Sequence, residues 1–312
     1  MRVPRLSWFA RLLVSVLVLA ALFWIVPVGT LWTAMRAVPV SVWAATLLLF
    51  LVGHAIAAFK WHMLMPKHEN LPPRLWLTAH FAGLVANLCL PGLASGDVVR
   101  AGWIIRHAGH GETVAIAGVV DRAIDCAALL TLATAGLVAM GEAGGSALRV
   151  IAITAAILLI GAAAGGTTFM LLRRRERDGV IGRSVHAIAM LADRPWRPVM
   201  AFTLSIGVQS TFLVLNAQLG RSAGVDVSIG AWLAAWPLAK IAALIPLGLA
   251  GLGLREAALV AFMRPFGAQP GPVMAAGLLW EGVLFSSGLI GWTVTHLWPA
   301  ANTGQPGAST GR

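Results

Sequence analysis

Residues 75–105 read LWLTAHFAGLVANLCLPGLASGDVVRAGWII, and residues 229–263 read IGAWLAAWPLAKIAALIPLGLAGLGLREAALVAFM. Both stretches are apolar, and proline and glycine interrupt each one, at residues 90–97 and 245–253. Because proline removes a helix donor and glycine weakens a helix, each stretch is predicted to form two short helices. Each short helix falls below the roughly 20 residues that cross a bilayer. Irregular backbone at membrane depth must be buried in protein or face a water-filled cavity. We therefore predict two re-entrant helical hairpins.

The composition of the chain places it in a membrane. Of its 312 residues, 58% are hydrophobic and 11% are charged, whereas a soluble domain averages about 45–50% apolar and about 25% charged residues. The 23 Lys and Arg and 12 Asp and Glu side chains are too few to cover the surface of a soluble protein of this size. An ordinary soluble enzyme and a disordered chain are both excluded, and a polytopic membrane protein is indicated.

Six further windows are long and apolar enough to be membrane spans. They are Leu12–Met35, Ala37–Phe59, Thr113–Met140, Val150–Leu172, Pro198–Gly220 and Val273–Leu297. With the hairpins, they predict an all-α polytopic membrane helix bundle that forms one domain over residues 1–298, followed by a disordered cytoplasmic tail at 299–312. We interpret the first window as a retained span, with a cleaved signal peptide as the alternative.

The distribution of Lys and Arg predicts the topology. With the N-terminus inside and each hairpin returning to its own side, fifteen of these cations fall on the inside and four on the outside, as the positive-inside rule expects. If both broken stretches crossed the membrane, the basic loop Arg173–Arg197 would lie outside. The count favours hairpins, cytoplasmic termini, and a bacterial plasma (inner) membrane location. It also makes lipid, and not nucleic acid, the expected partner of the net charge of +11.

The order of spans and hairpins repeats along the chain. Residues 37–140 and 198–297 each contain a span, a hairpin and a second span, and the first hairpin enters from the cytoplasm while the second enters from outside. The interruptions PGLASG (residues 91–96) and PLGLAG (residues 246–251) resemble each other. Paired, broken segments in an inverted repeat point to a transporter site. Chance similarity of two glycine-rich apolar runs is the alternative.

Ionisable residues inside the apolar stretches are the candidate functional residues, because a charge at the bilayer centre costs about 2.5–3.5 kcal/mol. They are Asp97, Arg100, Asp121, Arg122, Asp125, Lys240, Arg255, Glu256, Glu281 and His54.

Two arginines follow the two breaks. Arg100 comes after Gly96, and Arg255 comes after Gly253. A helix start offers free N–H groups and a positive dipole end, and the planar guanidinium group matches phosphate oxygens. We therefore predict that Arg100, Arg255, Gly96 and Gly253 form a binding site for a lipid headgroup.

The remaining charged residues are predicted to balance or gate this charge. They are Asp97, Asp121, Arg122, Asp125, Glu256 and Lys240. A carboxylate among them is a candidate for proton coupling. The alternative is a purely structural role, with ion pairs that neutralise one another and hold the hairpins together.

Enzyme and metal motifs are absent from the sequence. It contains no Walker A sequence, no GxSxG elbow, no HExxH and no CxxC pair, and its histidines show no metal-site spacing. We therefore expect no enzyme activity, no cofactor and no metal site.

Several of these motifs together resemble a known family. They are Lys60-Trp61, Asn87 through Gly92, Gly96-Asp97 with Arg100, Asp121-Arg122, and Pro246 through Glu256. Over roughly residues 10–298, the chain resembles the lysylphosphatidylglycerol synthase transmembrane region family, also called flippase-like membrane proteins. The soluble synthase domain that accompanies this region in the multiple peptide resistance factor is expected to be absent.

The resemblance implies a domain that moves, or helps to move, a lipid between leaflets. It implies a phospholipid or an isoprenoid phosphate as cargo, and a lipid-modifying enzyme as a candidate partner. One alternative is a membrane scaffold that recruits such an enzyme through its basic loop. Another is a lipid glycosyl- or phosphotransferase, which the shortness of the longest polar loop, Arg173–Arg197, disfavours.

Overall fold

A computed structural model describes residues 26–65, 71–89, 95–108, 111–141, 193–243 and 253–297, together with six single residues between 13 and 24. The described parts are helical and contain no strand, which confirms the all-α class. The helices are α1 (Val28–Ala37), α2 (Val40–Met63), α3 (Pro73–Cys89), α4 (Ser95–Ala108), α5 (Gly111–Ala139), α6 (Trp196–Ser222), α7 (Ile229–Ala242), α8 (Leu254–Met263), a 3-10 turn (Arg264–Phe266) and α9 (Pro270–Leu297). The predicted span Val150–Leu172, the tail, and most of both interruptions lie outside the described residues.

Three helices have the length and composition of membrane spans. They are α2, α6 and the part of α9 from Pro270 to Val294, and they coincide with three of the predicted windows. The 29-residue helix α5 coincides with a fourth. Several apolar helices of this length make the protein a multi-pass membrane protein.

The predicted span Leu12–Met35 is not one continuous helix. The chain bends at Val26, Pro27 is non-helical, and α1 starts only at Val28. Proline has no N–H to donate to a preceding turn, so a helix that arrives from the N-terminal side ends before it. The window Leu12–Met35 is therefore interrupted at Pro27, and its role as a retained span stays a prediction.

Both broken stretches contain helices that are too short to span a bilayer. Helices α3 and α4 have 17 and 14 residues, and α7 and α8 have 14 and 10. The end of α3 lies against the start of α4, because Asn87 Oδ1 accepts a hydrogen bond of 2.9 Å from the Gly96 N–H. A Cβ atom on Gly83 would lie only 2.7 Å from the Gly96 carbonyl oxygen. Whether the arms return to the same leaflet, and whether the halves form an inverted repeat, stay predictions.

Two apolar cores hold the helices in place. The larger core joins α2, α6, α7 and α9 through large side chains such as Phe50, Trp232 and Trp280. The smaller core joins the end of α2 to α3, α4 and α5 around Trp61 and Ile104. Together they fix the helices that contribute charged side chains to a single cavity.

Candidate functional site

A cavity of about 290 Å³ lies inside the bundle and collects side chains from α2 to α9. Part of its wall is charged or polar, and its charged residues are Lys60, Asp97, Arg100, Asp121, Arg122, Asp125, Lys240, Arg255 and Glu281. Another part is apolar, formed by residues such as Phe50, Leu129, Phe212, Trp236, Trp280, Leu284 and Phe285. The cavity therefore offers an ionic surface and a hydrophobic surface to the same ligand.

The first charge cluster consists of Lys60, Asp97, Arg100, Asp121, Arg122 and Asp125. Arg100 connects α4 to α5, because its Nη2 lies 3.0 Å from Asp97 Oδ1 and 2.9 Å from Asp121 Oδ2. Arg122 makes a two-pronged contact with the same aspartate, its Nε and Nη2 donating to the two Asp97 oxygens at 2.7 and 2.6 Å. The Arg100 guanidinium group also lies 4.5 Å from the centre of the Trp61 ring.

Lys60 is the unexpected member of this cluster. It follows the predicted window Ala37–Phe59, but it belongs to the last turn of α2 and its side chain is 2% exposed. Its Nζ lies 3.0 Å from Asp121 Oδ1, pairs with Asp125, and donates to Ser205 Oγ at 2.8 Å. Ser205 in turn donates to Asp125 Oδ1 at 2.7 Å. Lys60 therefore belongs to α2 and not to the segment that follows it, while the predicted sidedness of the cations stays a prediction.

A helical period in the sequence contained the signal for Lys60. Phe50, His54, Ala57 and Lys60 are spaced three or four residues apart, and all four line the cavity. Residues at this spacing share one face of a helix. The predicted window stops at Phe59 because the charged Lys60 follows it. The helix nevertheless continues through Lys60 to Met63.

The second charge cluster consists of Arg255, Glu256 and Glu281. Arg255 Nη2 lies 2.9 Å from Glu256 Oε1 and 2.7 Å from Glu281 Oε1, and so joins α8 to α9. The other carboxylate oxygen of Glu256 accepts a 2.9 Å hydrogen bond from the Gly253 N–H, at the start of α8. Gly253 has a φ of 80°, which favours glycine at this position.

The two glycines predicted as headgroup ligands have their N–H groups occupied within the protein. The Gly96 N–H donates to Asn87, and the Gly253 N–H donates to Glu256. Gly96 lines the cavity, whereas Gly253 and Glu256 do not. The Arg100 and Arg255 side chains therefore line the cavity. The Gly96 and Gly253 N–H groups instead make hydrogen bonds at the starts of α4 and α8.

Lys240 differs from the other cations of the cavity. Its Nζ donates to Gln209 Oε1 at 2.7 Å and lies 5.3 and 5.0 Å from the ring centres of Phe212 and Trp236. Among the residues that the structure describes, no carboxylate lies within ion-pair distance of it. This hydrogen bond connects α7 to Gln209 on α6.

Two histidines meet on the cavity wall. His54 Nδ1 lies 3.1 Å from His80 Nε2, and the His54 ring packs 4.4 Å from the Phe50 ring centre. The other ring nitrogen of His80 is buried and has no hydrogen-bond partner within the described part of the chain. His80 was missed from the sequence, although it precedes the cavity-lining residues Gly83 and Leu84 by one turn of α3.

The structure thus brings most predicted site residues to one place. The predicted residues that line the cavity are His54, Gly96, Asp97, Arg100, Asp121, Arg122, Asp125, Lys240, Arg255 and Glu281. Their assignment to headgroup binding or to charge balance stays a prediction. Within the described ranges, no group of three or more His, Cys, Asp or Glu side chains is arranged to hold a metal ion.

A multi-pass helical bundle that buries an ionic and apolar cavity defines a membrane protein with an internal polar site. The chain belongs to the family described as the lysylphosphatidylglycerol synthase TM region, whose model matches residues 8–306. This membership confirms the resemblance drawn from the motifs and gives the protein a role related to membrane lipids. No curated protein and no solved structure matches the chain.

Proposed function

We propose that the protein translocates an anionic or phosphate-bearing lipid between the leaflets of the bacterial plasma membrane, and that it is not an enzyme. The observation that carries this proposal is the two-sided wall of the cavity. Charged groups such as Arg122 and Glu281 share that wall with apolar groups such as Leu129 and Phe285. A lipid has the same division, with a charged headgroup and hydrocarbon tails.

The ion pairs supply the polar surface that a headgroup needs inside a membrane. Transfer of a charged headgroup into hydrocarbon is expensive, because its water is not replaced by other polar partners. A wall of paired charges replaces part of that water, and the pairing offsets part of the cost of burying the charges themselves. The headgroup then crosses beside these pairs while the tails stay in the bilayer.

In this proposal Arg100 and Arg255 contact the headgroup directly. Each guanidinium group already pairs with two carboxylates. A phosphate that binds either arginine therefore shares the guanidinium group with those carboxylates. The carboxylates and the other cations keep the cavity balanced as the headgroup enters and leaves. No nucleotide-binding motif is present in the sequence, so the energy is proposed to come from an ion gradient or from the gradient of the lipid itself.

Lipid movement in reconstituted vesicles tests the proposal. Vesicles that contain fluorescent phosphatidylglycerol are treated with an impermeant quencher, and the fraction quenched reports the lipid in the outer leaflet. Wild-type protein is expected to make nearly all of the label accessible over time. Val208→Trp fills the cavity from α6 and is expected to abolish movement. Val214→Trp, on the lipid-exposed side of the same helix, is expected to leave movement unchanged.

A charge-conserving pair of substitutions tests the arginines. Arg255→Gln combined with Glu281→Gln removes one cation and one carboxylate, so the net charge of the second cluster is unchanged, and Glu256 keeps the Gly253 N–H as its partner. Movement is expected to fall in this double variant and in the equivalent pair Arg100→Gln with Asp121→Asn. Movement equal to wild type in both folded double variants would remove the arginines from the headgroup site. A wild-type protein that moves neither phosphatidylglycerol nor an isoprenoid phosphate would contradict translocation itself.

A further inference from the structure

The formal charges of the cavity are not distributed evenly. The first charge cluster holds three cations and three carboxylates, and is neutral. The second cluster holds Arg255 with Glu256 and Glu281, and carries one net negative charge. Lys240 belongs to neither cluster, and within the described residues its hydrogen-bond partner is the neutral amide of Gln209. Within the described residues, Lys240 is therefore the cavity cation that has no carboxylate as a direct partner.

An anion entering the cavity meets three different environments. At the first cluster it competes with carboxylates that already bond the cations. At the second cluster it competes with Glu256 and Glu281 for Arg255. At Lys240 it meets an ammonium group with three donors, of which Gln209 occupies one. The ammonium group also lies over the faces of Phe212 and Trp236, whose cation–π contacts stabilise its charge without neutralising it.

From this distribution we infer that Lys240 binds the phosphate of the translocated lipid, and that the site selects a phosphodiester, which carries one negative charge. This inference rests on the proposed function and names the class of its substrate. One cation that has no carboxylate partner balances one negative charge. A phosphomonoester carries close to two, and its second charge has no free cation to meet among the described residues. Lys240 is thereby a specificity residue for the charge of the headgroup that Arg100 and Arg255 also contact.

A substitution at Gln209 can neutralise the charge of Lys240 without removing the lysine. Gln209→Glu has the same shape and places a carboxylate 2.7 Å from the ammonium group if the contact is kept. The resulting ion pair would neutralise the Lys240 ammonium group, which would then no longer be available to pair with the phosphate. Gln218→Glu is the matched control, because it adds the same charge to the same helix at an exposed position that does not line the cavity.

Lipid binding to the purified protein tests the inference apart from translocation. Native mass spectrometry compares phosphatidylglycerol, phosphatidic acid and diacylglycerol with identical acyl chains, offered together at equal concentration. Wild type is expected to retain phosphatidylglycerol about tenfold over both competitors, as a charge-assisted contact predicts. Lys240→Gln and Gln209→Glu are expected to lose most of this preference, whereas Lys240→Arg and Gln218→Glu are expected to keep it.

The outcomes separate the two proposals. Preference unchanged in both Lys240→Gln and Gln209→Glu overturns the inference, and so does a wild type that prefers phosphatidic acid or shows no preference. Preference that behaves as expected, in a protein that moves no lipid in vesicles, supports Lys240 as the phosphate ligand and contradicts translocation. Because Gln209→Glu keeps the lysine and its neighbours, the test remains decisive if Lys240→Gln does not fold.

Discussion

Lys60 shows how one buried cation organises residues that are distant in sequence. It contacts two carboxylates from α5 and one hydroxyl from α6, and its side chain is almost fully enclosed. A long aliphatic stem packs well among apolar residues, but its ammonium group is tolerated there only with partners. The lysine therefore holds α2, α5 and α6 together around the cavity.

Removing Lys60 is expected to destabilise the protein strongly. Lys60→Met keeps the stem and leaves Asp121 and Asp125 with one fewer cation in a buried place. Breaking a buried ion pair in this way costs about 3–5 kcal/mol. Thermal unfolding of the purified protein in detergent measures the loss.

A second substitution separates lost charge from lost packing. In Lys60→Met with Asp125→Asn, the cation and one carboxylate are removed together, while Asp121 keeps Arg100 as its partner. A large part of the lost stability is expected to return. If the double variant is as unstable as Lys60→Met alone, stranded charge is not the cause.

At this scale the sequence identified most of the charges, and it indicated partners for neighbouring residues such as Asp97 and Arg100, which do pair. Most of the charged residues that line the cavity could be named, because ionisable residues are rare in apolar stretches. Other pairs join positions far apart, such as Lys60 with Asp121 and Arg255 with Glu281. No local spacing predicts such contacts, since they depend on how helices pack.

Among the described residues, Glu256 is the side chain that accepts a hydrogen bond at the start of α8. Glu256 accepts a hydrogen bond from the Gly253 N–H and an ion pair from Arg255. Its aliphatic part also needs Gly277 on α9, where a Cβ atom would lie 2.9 Å from Glu256 Cγ. The Glu256 side chain thus caps the start of α8 and packs against α9.

Two substitutions at Glu256 are expected to differ. Glu256→Gln keeps an oxygen for the Gly253 N–H and loses the charge, whereas Glu256→Ala loses both. Loss of a helix-start acceptor costs typically about 1 kcal/mol, so Glu256→Ala is expected to be the less stable variant by about that amount. Hydrogen exchange of the first turn of α8 should rise in Glu256→Ala and much less in Glu256→Gln. Equal exchange in both variants would show that the carboxylate does not cap the helix.

The crossing of α3 and α4 is expected to tolerate no side chain at Gly96. A Cβ atom there would clash with the Gly83 carbonyl oxygen and the Asn87 side chain. Gly96→Ala is expected to destabilise the protein by about 1–3 kcal/mol, as overpacking does. Gly102→Ala on the same helix meets nothing within 4 Å and is expected to be neutral or stabilising by up to about 1 kcal/mol. Thermal unfolding of the two variants makes the comparison, and a shared response would argue against a close crossing.

Helix positions were more predictable than helix continuity. The apolar windows located α2, α5, α6 and α9, because a span of about 20 residues is a strong signal. The break at Pro27 was missed because the apolar run continues on both sides of it. Hydropathy measures how well a segment suits lipid, but backbone hydrogen bonding decides where a helix stops.

Across the whole molecule, the short helices determine what the cavity can contain. Cavity residues come from all four short helices as well as from the long ones. A helix that ends inside a bundle leaves room beyond its end, and charged side chains near that end can reach the space.

The sequence predicted that the two broken stretches would meet at a polar site, from their breaks and from their charges. It did not predict the apolar half of the wall, because apolar residues are common everywhere in such a chain.

The predicted topology requires that both ends of each broken stretch lie on one side of the membrane. In a variant with Cys89 and Cys126 replaced by alanine, single cysteines at Pro72 and Arg106 flank the first stretch, and cysteines at Arg221 and Arg264 flank the second. An impermeant maleimide added to intact cells is expected to label positions 221 and 264, because they lie outside. Positions 72 and 106 are expected to react only after the membrane is opened, as re-entry from the cytoplasm requires. Labelling of position 106 but not of 72 in intact cells would mean that α3 and α4 traverse the bilayer together, and the same split between 221 and 264 would reject the second hairpin.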